Sequence, residues 1–473
     1  MTNKIIPKQL VASAIFLSLL SSVLVLINLL FGFSLPLYLL VAICVVALSF
    51  VYPLAGLLAV TFLTLLWSQN FTLSPFIFNQ SEYKFYLVDL FLVPIYFRTA
   101  LDWFKYREPK LTGFDKLLLV FFAWVALIFV FSLAFWDANL ATAVSSLKNY
   151  IFYSLLFFVI WYQFRNRQIF STWFAFFMAG ALASLGFFVY GLLTGQGLWT
   201  EITPLSTAGS RFLDFNHAFY LCLAFILGLP YLIWRKDQFS RVLTWLLPLF
   251  VAAILGSLMR HLWLALTIYL VWLLITLGSD RASLKKLVAK YLALVIVIFS
   301  LGIFVANLMP HSQLTQSLGD QRGYLATRLF SLFDDGDTSI AWRGTLWNNA
   351  WSNFLDAPLT GAGLGQKIFI DMGSYKDYVE LRNIHNSFLA VLTQLGTVGL
   401  LLLLVFVLAQ LIKIWTFKVR SNLDLIVRYS VSGIIIFCTI AFMFQPYLEA
   451  NFFSIWWWLF LGLGHAYYES TLS

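Results

Sequence analysis

Apolar runs follow one another along almost the whole chain, and most approach the about 20 residues a helix needs to cross a bilayer. They are continuous rather than alternating, which excludes a transmembrane β-barrel. In order they lie at about Val11–Phe31, up to Tyr52-Pro53, up to Trp67, Phe85–Phe97, Lys116–Phe135, Lys148–Phe164, Ile169–Leu193 and Phe212–Trp234. Val242–Leu258, Leu262–Leu277, Tyr291–Met309, Ser387–Ile412, Leu423–Phe444 and Phe453–Tyr468 complete the series. The expected fold is all-α, a polytopic membrane helical bundle of about 12–14 transmembrane helices, the lower count applying if short early segments re-enter. Residues 1–473 read as a single integral membrane domain, and the first run is too long for a signal-peptide core.

One long polar stretch breaks this pattern, the large loop 310–386. Within it Trp342, Leu346, Trp347, Ala350, Trp351, Phe354 and Leu355 recur at helical spacing, with Asp337-Thr338-Ser339 as caps and Pro358 as the stop. The spacing predicts an amphipathic helix that lies on the bilayer or covers the bundle, with Arg343 in its first turn. Gly361-Ala362-Gly363-Leu364-Gly365 follows without a preceding strand, so it is a tight turn using positive φ and not a dinucleotide motif.

Composition agrees with a membrane protein. Only 11% of residues are charged, against about 25% in soluble domains. The net charge of +9 distributes by topology. With both termini cytoplasmic, 20 of the 30 Lys and Arg fall inside and 10 outside, as the positive-inside rule requires. The basic excess therefore faces anionic lipid, and no nucleic-acid partner is expected. The same count places the large loop outside the cytoplasm. Aromatic residues, Trp456-Trp457-Trp458 among them, suit interfacial belts. Cys44, Cys222 and Cys438 lie singly in apolar runs, so neither disulfides nor zinc is implied. Asp334-Asp335-Gly336-Asp337 lacks the spacing and closing Glu of a calcium loop, and no metal or other cofactor is expected.

Candidate chemistry gathers on the loop side. Arg211 opens a span in Gly-Ser-Arg-Phe-Leu-Asp-Phe-Asn-His, and Arg260 is wedged between two apolar runs in Leu-Met-Arg-His-Leu-Trp. A charge so placed is expensive, and arginine suits bidentate binding of phosphate where water is scarce. Snorkelling to headgroups, or pairing with Asp214 or Glu449, is the structural alternative. His385, at the start of a long span, has the side chain suited to general-base work near neutral pH. Asp89, within a span, calls for a buried structural partner.

Taken together, Trp342-Arg343-x-x-x-Trp347, Pro358-Leu-Thr-Gly361-Ala-Gly363-Leu-Gly365, His385-Asn386-Ser-Phe-Leu and Gln394-Leu-Gly396-x-x-Gly399 resemble the O-antigen ligase and polymerase family. Upstream, Arg211 with Phe215-Asn216-His217, and Arg260 with Trp263, extend the resemblance, which covers roughly Arg211 to Gly399. Met259 stands where serine is common in that family, and Gln394 where it has Glu. The resemblance implies inverting, metal-independent transfer of a glycan from undecaprenyl diphosphate on the outer side of the bacterial cytoplasmic membrane. The acceptor would be lipid A-core or a second lipid-linked glycan. It further implies that Arg211, Arg260 and Arg343 hold the diphosphate, that His385 activates the acceptor hydroxyl, and that Asn386, Asn216 and Trp347 support them. A lipid-linked glycan flippase or other transporter is the alternative, although the chain shows no related halves and concentrates its polar residues on one face. Transferases using polyprenyl-monophosphate sugars need acids in the first external loop, and Phe31 to Leu35 has none.

Overall fold

The computed structural model describes residues 8–72, 86–106, 111, 113–194, 213–308, 338–371 and 376–472. Each apolar run is occupied by helix. Among the described residues eight helices are long and apolar enough to cross a membrane, and Leu35–Val51, Pro53–Trp67 and Arg260–Thr276 are shorter apolar ones. Leu87–Tyr106, Arg281–Leu308 and Asn451–Leu472 occupy the remaining runs. The boundaries follow local chemistry. Pro53 opens a helix where its missing N–H costs nothing, and Asp237, Asn386 and Ser421 each accept a backbone N–H as N-caps.

Pro53–Trp67 is buried over most of its length, packed against Ile169–Thr194, Lys8–Phe31 and Leu87–Tyr106. Asn451–Leu472 packs against Leu156–Phe164 and Ser387–Thr416. Here the sequence expectation of an interfacial aromatic belt is corrected: Trp456, Trp457 and Trp458 are all buried in the bundle core. Trp456 stands edge-on to Phe177 at 5.1 Å, and Gly462 lets the helix come close to the Phe157 backbone. Among lipid tails, helices gain by packing bulky rings against small residues, and that gain outweighs the interfacial preference of indole.

A second correction concerns Lys148, read from sequence as a span end. The helix begins at Leu140, and Lys148 lies inside it, at a π-helical turn over Lys148–Phe152. Its ammonium pairs with Asp89, whose other oxygen accepts from the Tyr153 hydroxyl at 2.8 Å. Asp89 thus has the buried partner its position demanded, and the widened turn is what carries Lys148 within the bundle. At the opposite end Asp115, Lys413 and His465 form a second buried cluster, with Lys413 Nζ 3.0 Å and His465 Nε2 3.4 Å from the carboxylate. Cys44, Cys222 and Cys438 are free thiols.

The loop is not a linker. Thr338–Asp356 is the expected amphipathic helix, beginning early enough that Arg343 sits one turn further in than the sequence suggested. Lys367–Asp371 and Lys376–Glu380 form an antiparallel hairpin, the one sheet among the described residues. Leu346 and Ala350 of the helix, Ile368 and Ile370 of the hairpin, and Leu381, Ile384 and Ala390 make a small apolar core of their own over the bundle end. Residues 309–337, including His311, Arg322, Arg328 and the Asp334–Asp337 cluster, lie outside the described residues, as does Arg211.

Candidate active site

The site is built where the glycine turn meets a broken helix. Ser387–Thr416 reads from sequence as one uninterrupted span, yet Gly396 takes φ +69° and ψ −175° inside it. A helix broken within apolar surroundings must have its freed backbone groups satisfied. They are. Ala362 N donates to Thr393 O at 2.8 Å, Trp124 Nε1 to Leu395 O at 2.9 Å, and Thr397 N to Pro358 O at 2.9 Å. A Cβ on Gly396 would run into the Leu359 carbonyl, and one on Gly361 would meet the Gly396 amide nitrogen at 2.6 Å. The two glycine motifs are therefore two halves of one joint. Gly363 and Gly365, also at positive φ, seat the turn against Trp136 and Asn139, with Leu364 N donating to Ser132 Oγ at 2.8 Å.

This joint fixes the segment carrying His385. A 3-10 turn, Leu381–Asn383, ends at Ile384, and the next helix is capped by Asn386, whose Oδ1 accepts from Leu389 N at 3.0 Å. Between them His385 adopts φ +55°, a left-handed conformation uncommon outside glycine. Such strain persists only where surroundings over-determine it. Trp347 Nε1 donates to Ile384 O at 2.8 Å, the Trp342 ring stands edge-on to the imidazole at 5.1 Å, and His385 Nδ1 lies 2.9 Å from Gln445 Oε1. An acceptor at Nδ1 places the ring proton there and leaves the Nε2 lone pair available. Burial first, and the Arg343 guanidinium second, push the imidazole down to about 4, although the bond to Gln445 opposes this. At neutral pH His385 is an uncharged base.

Gln445 belongs to the short connection Met443–Ala450, and this connection is the centre of the site. Ser387 Oγ donates to Glu449 Oε2 at 2.7 Å and accepts from Leu448 N at 3.0 Å. Tyr150 OH donates to Glu449 Oε1 at 3.0 Å and accepts from Gln394 Nε2 at 3.1 Å, while Ser146 Oγ donates to Gln394 Oε1 at 3.1 Å. Burial raises the Glu449 carboxyl to about 7 against these hydrogen bonds. Nearby, Arg382 grips Glu380 at 2.6 Å and also Ser145. Burial, the largest single influence, would raise the Glu380 carboxyl, but Arg382, the Thr142 hydroxyl and Lys367 together hold the group below its usual value.

Of the residues singled out from sequence, the structure brings His385, Arg343 and Trp347 together, and gives Asn386 the role of a helix cap. Arg260 opens its helix half-buried, after a connection of three residues in which Leu258 takes φ +57°. Its neighbour His261 places Nε2 2.7 Å from Tyr447 OH, two residues from Gln445, and its ring faces Phe444 at 6.4 Å. Asn216 is fully buried, with neither amide atom partnered among the described residues. It lies one turn before Phe219, whose ring meets Tyr447 at 5.0 Å. Among the described residues, no group of three His, Cys, Asp or Glu could hold a metal ion.

Residues 243–404 match the family model described as O-antigen ligase. That stretch is similar to the O-antigen ligase family. It runs from the helix before Arg260, through the loop and His385, past the Gly396 joint. Together with eight helices long and apolar enough to cross a membrane among the described residues, the match is consistent with a multi-pass membrane protein similar to O-antigen ligases over that stretch. No curated protein matches the chain. Gln445 and Glu449 lie beyond the matched O-antigen ligase stretch and sequence reasoning missed them as site residues. Phe444-Gln-Pro-Tyr-Leu-Glu carries no motif, and its one signal was two polar residues in a very short turn between apolar runs.

Proposed function

We propose that the protein transfers an oligo- or polysaccharide from undecaprenyl diphosphate to an acceptor hydroxyl on the extracytoplasmic face of the bacterial cytoplasmic membrane, with both termini cytoplasmic. The observation that carries this reading is His385, strained, uncharged, and fixed by Gln445 with Nε2 available, beside Arg343. His385 Nε2 takes the proton of the acceptor hydroxyl as its oxygen bonds to the anomeric carbon. The carbon–oxygen bond to the diphosphate breaks on the opposite face, so one displacement inverts that centre. Arg343 and Arg260, joined by Arg211, hold the departing diphosphate, whose charge grows in the transition state. No step draws on a metal ion.

Binding also tunes the base. In the free protein Arg343 disfavours a second positive charge on His385. A bound diphosphate cancels that field and raises the imidazole toward the range where a general base is most effective. The acceptor is lipid A-core or a second lipid-linked glycan. The test is reconstitution in proteoliposomes with a labelled glycan on undecaprenyl diphosphate, with and without lipid A-core. Growth of the lipid-linked glycan identifies a polymerase, and labelled lipid A-core a ligase. Uptake of the donor across the bilayer without a new glycosidic bond would refute both.

A further inference from the structure

The hairpin of the loop has two unlike faces. Its register sets Lys367 opposite Glu380, Phe369 opposite Tyr378 and Asp371 opposite Lys376 on one face, with Ile368 opposite Val379 on the other. Ile368 and Ile370 belong to the small core shared with Thr338–Asp356, and Val379 packs against it. That buried face is enough to hold the register. On the outer face Phe369 is 49% and Tyr378 63% exposed, with ring centroids 5.1 Å apart. A cross-strand ring pair steadies a hairpin only modestly. Two large rings left open in an otherwise charged face mark a contact surface.

The charges around the rings say what the contact is. Lys367 and Glu380 stand on the root side of the rings, and Asp371 and Lys376, paired at 2.7 Å, stand on the other. The rings cannot sink into lipid without taking a carboxylate and an ammonium with them, which lipid penalises. Two cations and two carboxylates also cancel, so this face has no net pull on an anionic bilayer or a polyanion. A sugar fits both features. Its C–H face packs on an aromatic ring through dispersion, and its hydroxyls both donate to carboxylates and accept from ammonium groups.

The root of the hairpin leads to the candidate base. Glu380 is gripped by Arg382 and accepts from Thr142 Oγ1 at 3.0 Å, while Leu381 N donates to Gln366 O at 3.0 Å. Seven positions separate Tyr378 from His385, so the rings lie within about 25 Å of the imidazole. They face away from the small core to which Ile384, the neighbour of His385, belongs. The rings therefore meet sugars further along a glycan chain, not the sugar at the reacting bond.

We infer that Phe369 and Tyr378 form a stacking platform for internal sugar units of a largely uncharged glycan, separate from the places of the diphosphate and the reacting sugar. The inference rests on the proposed function and adds to it a reason for the protein to favour a polymer over a short donor.

The experiment uses the full chain in nanodiscs of phosphatidylethanolamine and phosphatidylglycerol. The probe is the water-soluble polysaccharide released by mild acid from the lipid-linked pool of the source cells, end-labelled and followed by fluorescence anisotropy. Phe369→Thr combined with Tyr378→Thr keeps strand-forming residues at both positions and should weaken binding about tenfold. Tyr378→Phe, which keeps the ring, should stay within about twofold of the native protein. In transfer assays the double variant should raise KM for a long lipid-linked glycan and leave kcat/KM for a one-sugar donor unchanged. A bimane at Tyr378→Cys, with Cys44, Cys222 and Cys438 replaced by Ala, should not be quenched by brominated phospholipid. Unaltered binding in the double variant would overturn the inference. So would equal losses with long and one-sugar donors, which mark a merely structural pair, or bimane quenched by the lipid, which marks a membrane contact. Binding requires no transfer. A failed platform therefore leaves the glycan-transfer reading standing, and ring-dependent binding in a protein that transfers nothing would tell against that reading alone.

Discussion

Replacing Gln445 by Glu changes the one group that meets His385 Nδ1, and the consequence can be worked from the structure. In the native protein the imidazole titrates at about 4, held down by burial and Arg343, with the neutral Gln445 amide giving only partial relief. A carboxylate at the same 2.9 Å position supplies an opposite charge in hydrogen-bond contact, which moves a titration by about 1–3 units. The neutral imidazole is the active form, so activity is lost as pH falls through this value. The acid limb of kcat/KM, which reports the free enzyme, should therefore rise from about 4 to between about 5 and 7. Gln445→Ala should act in the opposite sense. Losing a hydrogen bond that raises the imidazole, it lowers the limb further, and kcat drops about fivefold as the Nδ1–H tautomer loses about 1 kcal/mol of support. The assay is glycan transfer in proteoliposomes across pH 4–8. An acid limb unmoved in Gln445→Glu, in protein whose melting temperature matches the native one, would refute the role given to this pair.

The donor-bound enzyme should titrate higher than the free enzyme, because bound diphosphate screens Arg343; the acid limb of kcat should lie above that of kcat/KM, and coincident limbs would place the diphosphate elsewhere. Gly396→Ala should lower thermal stability and detach the glycine turn. The new Cβ meets the Leu359 backbone at a backbone conformation essentially reserved for glycine, costing about 1–3 kcal/mol for another residue, and an unchanged melting temperature would contradict the joint. Trp347→Phe removes the bond to Ile384 O and should lower kcat several-fold with KM for the donor unchanged. Glu449→Leu orphans the Ser387 and Tyr150 hydroxyls at about 1–3 kcal/mol each, whereas Glu449→Gln should keep most of the stability in a detergent melt.

The sequence made much of this legible where the cause is local. Continuous apolar runs could only be helices, the Trp342–Leu355 spacing could only be one amphipathic face, and Gly361, Gly363 and Gly365 do take positive φ. A carboxylate in a span had to have a partner, and Asp89 has Lys148. What was not legible depends on distant segments. Lys148 read as a span end because nothing local reveals a π-helical turn. The break at Gly396 is invisible in an apolar run, since it exists only because Pro358, Ala362 and Trp124 satisfy its backbone. Gln445 meets His385 across 60 residues and Glu449 meets Tyr150 across 299. Such pairings arise from packing the last two helices, and a single chain carries no local sign of them. Trp456 to Trp458 misled for the same reason, as span-end position and core packing predict opposite environments for the same ring.

The central claim is that His385 is the base for glycan transfer while Arg343 and Arg260 bind the donor. Its most direct test is His385→Ala in proteoliposomes, following transfer from undecaprenyl-diphosphate-linked glycan together with donor affinity. Transfer should fall by about 10²–10⁴-fold with donor affinity essentially unchanged. Transfer retained within a few-fold of the native rate would contradict the claim.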